Sequence, residues 1–186
     1  MTSLRLIGFL ISGKKNSLKG KIEHKVYLLT GSNLGDRSKS LKEAEKSIHE
    51  NCGNILKSSS IYESEPWNMD SDDWFLNQVH LIGTTKTALE LLEGILQIET
   101  ILGRTRKSSG GYESRIIDID ILYIDSLVYD TPELIVPHPR IQERRFVLVP
   151  MVELNPDMIH PIFNKSQKEL LNLCSDTTKV EWKSPK

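Results

Sequence analysis

With 186 residues, 38% of them hydrophobic and 26% charged, the chain has the makeup of one globular domain, which excludes bulk disorder. A net charge of −1 and a pI near 6.5 argue against a protein that coats nucleic acid by neutralising phosphates. The longest apolar run, Leu6 to Ile11, falls far short of the roughly 20 residues that span a bilayer.

Residues 1–24 read as a basic extension, in which Arg5, Lys14, Lys15, Lys19 and Lys21 face a single acid, Glu23. Its apolar stretch is short, no A-x-A cleavage site follows, and the polar Ser-Gly-Lys-Lys-Asn-Ser run comes next, so a weakly ordered tail is expected. Cys52 and Cys174 are too few for a disulfide framework and lack metal-ligand spacing. A cytoplasmic monomer is the expectation, with residues 25–182 forming its single domain.

Regular patterning starts at Lys25. Lys25 to Thr30 is β-prone and stops at Gly31, and Asp36 to Glu50 places Leu41, Ala44 and Ile48 at helical spacing. Asn54 to Tyr62 and Phe75 to Thr84 read as the second and third strands. Thr87 then caps a helix whose stripe runs through Leu89, Leu92 and Leu96 until Gly103. Ile116 to Ile124 is the clearest strand. The order β-α-β-β-α-β predicts an α+β fold, a ferredoxin-like antiparallel sheet with both helices on one face and the other face free. The remainder is punctuated by prolines, with a helix expected near Ser166 to Cys174.

Chemistry concentrates at Asp118-Ile119-Asp120. In a strand, residues two apart share a face, so two carboxylates stand side by side and repel unless a cation lies between them. Alone, such a pair reads as two solvated acids. Arg104, Arg106 and Lys107 precede it, Arg115 adjoins it, and His138, Arg144 and Arg145 follow. Acids that can hold Mg²⁺, surrounded by guanidinium groups, are what phosphoryl transfer requires. The Gly/Ser-rich stretch from Lys107 to Glu113 reads as a plain loop or as a lid over nucleotide. Gly31-Ser32-Asn33-Leu34-Gly35 lacks the G-K-[ST] of a phosphate loop and reads instead as a tight turn near a ligand. Trp67, Trp74, Phe75 and Phe146 offer aromatic faces, and Asn77 offers a donor and an acceptor, as a flat heterocycle would need.

These motifs together resemble 6-hydroxymethyl-7,8-dihydropterin pyrophosphokinase: Gly-Ser-Asn-Leu (31–34), Phe-Leu-Asn-Gln (75–78), Gly-Arg-Thr-Arg (103–106) after Glu99, Arg-Ile-Ile-Asp-Ile-Asp (115–120), and Val-Pro-His-Pro-Arg (136–140) before Glu-Arg-Arg-Phe (143–146). The resemblance covers Lys25 to about Pro161. It implies transfer of pyrophosphate from ATP to the hydroxymethyl group of the dihydropterin, with release of AMP, in folate biosynthesis. Carried over by position, Asp118 and Asp120 would hold two Mg²⁺ ions, and Arg104 and Arg115 would engage the phosphates. Glu99, Arg106, Lys107, His138 and Arg144 would contact the nucleotide, with Ile121 meeting adenine through its backbone. Phe75 and Phe146 would sandwich the pterin, Asn77 would bond its edge, and Ser64 and Trp67 would complete the pocket. The Tyr-Glu-Ser-Arg run (112–115) departs from the family's usual Trp-Gly-Pro-Arg, with Glu113 adding negative charge near ATP.

Two other readings share the element order. An RNA-binding module of the RRM type would need aromatics on its central strands, where the first strand offers only Tyr27, and no RNP-like run is present. A noncatalytic nucleotide-binding protein would have lost the acids or the arginines, and both are here.

Overall fold

The computed structural model describes residues 24–68, 72–104 and 114–184. β1 (His24–Ser32) supplies the central ribbon, with Val26 and Leu28 on one face and Tyr27 and Leu29 on the other. Gly35 adopts a φ of +65°, a turn suited to glycine, and delivers the chain to α1 (Arg37–Asn51). The Asp36 side chain caps that helix by accepting the Lys39 N–H at 3.0 Å. Leu41, Ala44 and Ile48 form its buried stripe, as their spacing predicts. After β4 (Phe75–Thr84), α2 (Ala88–Ile101) starts with a full capping box between Thr87 and Glu90. β5 (Asp118–Ile124) follows.

With β2 (Asn54–Ser58), β3 (Tyr62–Ser64) and β8 (Val180–Trp182), the sheet runs in the order β5-β1-β4-β3-β8, with β2 also paired to β4, and its pairings are antiparallel. The expected second strand is two strands, β2 (Asn54–Ser58) and β3 (Tyr62–Ser64). Side chains explain the break. Ser59 turns its hydroxyl to the Val79 N–H (3.0 Å), and the Ser60 N–H is drawn to Glu153 (3.0 Å). β3 therefore leaves the register of β2 and carries Ser64 toward the end of the sheet where β5 starts.

The expectation that one sheet face stays free is wrong. α1 and α2 bury Val26, Leu28, Leu76, Ile82, Ile119 and Ile121 on one side. The opposite side is covered by α3 (Arg145–Leu154) and α4 (Gln167–Leu173), which bury Val147, Leu148, Met151 and Leu170 against Tyr27, Leu29, Val79 and Tyr123. Each such side chain contributes about 1.5–3 kcal/mol when fully buried. Interior Pro150 disguises α3 in the sequence, and the Phe-Val-Leu-Val run preceding it is apolar on successive residues.

The cover is partial, and that positions the site. α3 packs on β4 with its flanks against β3, and the sheet end bearing Asp118, Gly31 and Phe75 opens into a cleft. A bulge on β5 leaves Leu122 without a partner on β1, since Tyr27 faces Tyr123 and Leu28 faces Ile121. Leu122 and Tyr123 both enter the core beneath α3, while Asp118 and Asp120 keep their alternation. β6 (Tyr129–Asp130), β7 (Ile135–Val136) and a 3₁₀ turn (Ile141–Glu143) then lead the chain past the outer edge of β5. β8 (Val180–Trp182) closes the far edge.

Candidate active site

Two clefts meet at the acidic pair. The first is lined by Gly31, Ser64, Trp67, Phe75, Asn77 and Phe146, together with Arg115, Asp118, Asp120, His138 and Arg144. The second is lined by Leu92, Ile95, Leu96, Glu99, Arg104, Ile121, Leu134 and Ile135, and shares Arg115, Asp118, Asp120 and His138. One cleft is aromatic and the other aliphatic, with charge concentrated at their junction. Arg106 and Lys107, as well as Tyr112 and Glu113, lie outside the described residues. Trp74 lines neither cleft, and its carbonyl accepts from Arg37 at 2.5 Å.

Strand register builds the first cleft. Gly31 stands opposite Asp118 on β5 and opposite Asn77 on β4. A Cβ at position 31 would lie 3.1 Å from Asn77 Oδ1, so glycine leaves the amide its place between the acid and the aromatic slot. Asn77 Nδ2 donates to Ser64 Oγ (2.9 Å), which orients the amide. Phe146, at the start of α3, faces Trp67 with ring centroids 6.5 Å apart, and the Arg144 guanidinium lies 5.0 Å from the Trp67 ring.

The acids are not equivalent. Asp118 is held on both oxygens, by Arg104 Nη1 at 2.6 Å and Arg115 Nη1 at 2.6 Å. Asp120 pairs with the more distant Arg144 Nη1, at 3.7 Å. Burial and the neighbouring Asp118 carboxylate push Asp120 up to about 7. Its side chain nonetheless keeps 30% of its surface exposed, at the cleft junction. Glu99, buried at 2% exposure, bonds Arg104 and accepts the Ile119 N–H at 2.9 Å, locking α2 to β5. His138 is held neutral, down to about 4, chiefly by burial and then by Arg144. Its Nδ1 accepts the Arg140 N–H at 3.1 Å.

Among the described residues there is no cluster of three or more His, Cys, Asp or Glu that would cage a metal by itself. Two carboxylates suffice for Mg²⁺ when substrate phosphates complete its shell. Asp120, raised by burial and then by Asp118, has among the described residues no cation as near as those on Asp118 and opens onto the cleft junction, so these residues fit a divalent cation. Sequence reasoning missed the use of Asn33. Its Oδ1 accepts the Arg115 N–H (2.7 Å) and its N–H donates to the Arg115 carbonyl (3.2 Å), so the Gly-Ser-Asn turn grips the arginine that faces Asp118. The two residues are far apart in the chain, so no local sequence pattern links them.

The sheet face that an RNA-recognition module would present is covered by α3 and α4. Among the described residues no helix is long and apolar enough to cross a membrane.

Comparison with known proteins agrees with this geometry. Residues 27–156 match the family model for 7,8-dihydro-6-hydroxymethylpterin-pyrophosphokinase (HPPK). A 2-amino-4-hydroxy-6-hydroxymethyldihydropteridine pyrophosphokinase of Bacillus subtilis (strain 168) is 43% identical over 129 residues, covering 69% of this chain and 76% of that one. Its namesake from Porphyromonas gingivalis is 42% identical over 140 residues, 73% of this chain and 93% of the other. The folic acid synthesis protein FOL1 of Dictyostelium discoideum is 37% identical over 88% of this chain, which spans 25% of that longer protein. A crystal structure of HPPK-DHPS in complex with substrates shares the fold, with a TM-score of 0.65 at 14% identity, covering 81% of this chain and 43% of that one. With the model matching most of the chain and close relatives matched over most of their own length, the chain belongs to the 7,8-dihydro-6-hydroxymethylpterin-pyrophosphokinase family.

Proposed function

We propose that the chain transfers the β,γ-pyrophosphoryl group of ATP to the hydroxymethyl oxygen of 6-hydroxymethyl-7,8-dihydropterin, releasing AMP. The observation that carries this reading is the junction: an aromatic cleft and an aliphatic cleft share one acidic pair edged by arginines. The aromatic cleft takes the pterin, with Phe75 and Phe146 as faces, Asn77 and Ser64 at its edge and Trp67 closing it. The aliphatic cleft takes the adenine, beside Ile121 and the buried Glu99, with Arg106 and Lys107 as further nucleotide contacts. Asp118 and Asp120 would hold two Mg²⁺ ions, which when bound supply neutralising charge on the phosphoryl oxygens.

The arginines have two sets of partners. Before substrate arrives, Arg104 and Arg115 sit on Asp118, which keeps both guanidinium groups folded over the junction. With cations held by Asp118 and Asp120, the Arg104 and Arg115 guanidinium groups would turn onto phosphate oxygens. Arg144, next to neutral His138, would meet the phosphates from the pterin side. Closing both clefts excludes water, so the hydroxymethyl oxygen is the available nucleophile. The reading extends to a cytoplasmic monomer acting through residues 25–182, since one chain supplies every group named. It also takes the strand order β5-β1-β4-β2 as a ferredoxin-like core with C-terminal additions.

Incubation with ATP, Mg²⁺ and the pterin tests the assignment. AMP should appear only when all three are present, and a chelator should stop it. AMP release that ignores the pterin would overturn the substrate assignment.

A further inference from the structure

α3 carries Phe146 in its first turn, and its N-cap residue is Arg144, whose side chain makes no capping hydrogen bond. Ser, Thr, Asp or Asn would ordinarily stand there. The Arg144 guanidinium carries donors only and cannot accept a helix N–H, and it is turned to Asp120, His138 and the Trp67 ring. The missing acceptor comes from elsewhere in the chain. Asp176 Oδ2 accepts the Arg145 N–H at 2.8 Å, and its other oxygen accepts the Thr178 N–H at 2.9 Å, which fixes the carboxylate in a tight turn. A carboxylate at a helix N-terminus also meets the favourable end of the helix dipole.

From that turn the chain runs directly to the Ser64–Trp67 wall of the aromatic cleft. The Lys179 N–H donates to Glu65 Oε2 (2.7 Å), and the Lys179 carbonyl accepts the Glu65 N–H (3.1 Å). β8 then pairs with β3, placing Val180 opposite Ser64, and Lys183 Nζ reaches Glu63 at 2.6 Å. Ser64, Glu65 and Trp67, from β3 and the chain after it, line the cleft together with Phe146 of α3, its ring centroid 6.5 Å from that of Trp67. A single segment, 176–183, thus grips both parts of that lining. It lies beyond residues 27–156, the stretch matched to the family.

We propose that Asp176 is a positioning residue for the heterocycle slot: it caps α3 in place of the functionally committed Arg144 and, through the 176–183 segment, sets the spacing between Phe146 and the Ser64–Trp67 wall. This rests on the reading of the aromatic cleft as the pterin site. Asp176 touches no substrate, so its effect is on pterin binding rather than on the transfer step.

The test compares Asp176→Ala and Asp176→Asn in the full-length protein, well below their melting temperatures. Amide hydrogen exchange of Arg145 and Glu65 is measured without ligand, and pterin and ATP–Mg²⁺ affinities by calorimetry. Asp176→Ala should lose protection at both amides and weaken pterin binding by ~3- to 30-fold, the range that follows from losing a helix cap. ATP affinity should stay within about twofold of wild type, and Asp176→Asn, which retains one accepting oxygen, should fall between. Unchanged exchange at both amides, or equal losses for pterin and ATP, would overturn the positioning role. If wild type itself bound no pterin while the amides still lost protection, the substrate reading would fail and the structural coupling would stand.

Discussion

Replacing Asp120 by Asn should stabilise the metal-free protein at alkaline pH, although it removes a ligand that the reaction needs. In the folded state the carboxyl is pushed from 3.8 to about 7 by burial and by Asp118, so the folded chain prefers it protonated. That preference contributes fully below about pH 4, where both states carry the proton, and is lost as the pH rises through about 7. Above that value the folded protein bears the cost of an ionised acid that Asn would not impose. At ~1.4 kcal/mol per pKa unit the shift sets a ceiling near 4 kcal/mol. Water reaching the 30% exposed side chain brings the expectation down to ~1–2 kcal/mol. For a chain of this length that is a melting-temperature gain of about 2–8 °C. Thermal melts with chelator at several pH values between 4 and 8.5 measure it directly. The gap between variant and wild type should be widest at pH 8.5 and close toward pH 4. Asp118→Asn should behave oppositely, losing stability at pH 8, because it strips the partner that Arg104 and Arg115 share. No gain for Asp120→Asn at pH 8.5, or a gap that widens as pH falls, would refute the idea that the pair is strained until a cation arrives.

Phe146→Ala should weaken pterin binding by ~1–3 kcal/mol, by analogy with base–aromatic stacking, and leave ATP affinity nearly unchanged; equal losses in calorimetry would place the ring in the core. Arg115→Ala should lower kcat by ~10²-fold or more while direct titration shows a much smaller change in ATP affinity, as for a charge donor that acts in the transition state. Collapse of ATP affinity with an intact chemical step would make it a ground-state clamp. Gly31→Ala puts a methyl 3.1 Å from Asn77 Oδ1 and should cost roughly tenfold in pterin affinity with little effect on folding. A variant that binds pterin normally would show that the Asn77 amide is not fixed by that contact.

Periodicity carries far into this structure, and where it stops is physically specific. β1, α1, β4, α2 and β5 stand where their patterns place them, but the stripe expected on α2 is corrected: Leu91, Ile95 and Ile98 are its buried residues, while Leu89 is exposed and Leu92 and Leu96 are half-buried at the rim of the aliphatic cleft. α3 hides because a helix pressed between sheet and solvent edge is apolar on consecutive residues and contains Pro150. Missing it also produced the false expectation of a free sheet face. The split between β2 and β3 depends on what Ser59 and Ser60 find in β4 and α3, which no local window contains. The same holds within the site. Asp118, Asp120, Phe75, Asn77 and Phe146 are legible from residue type and spacing, and the fold brings them to one junction. The inequality of the two acids is not legible, since it follows from Arg104 and Arg115 choosing Asp118. Asn33 and Asp176 act on residues remote in sequence through backbone hydrogen bonds, which leave no compositional trace.

Whether the chain moves two phosphoryl groups together or one at a time can be read from labelled ATP. In parallel reactions with Mg²⁺ and the pterin, ATP carries ³²P at either the β or the γ position, and products are separated by chromatography. Attack at the β-phosphorus predicts that both labels leave with the pterin and the nucleotide product is unlabelled AMP. A β label retained in ADP, with only the γ label on the pterin, would contradict the pyrophosphoryl transfer proposed for this junction of clefts.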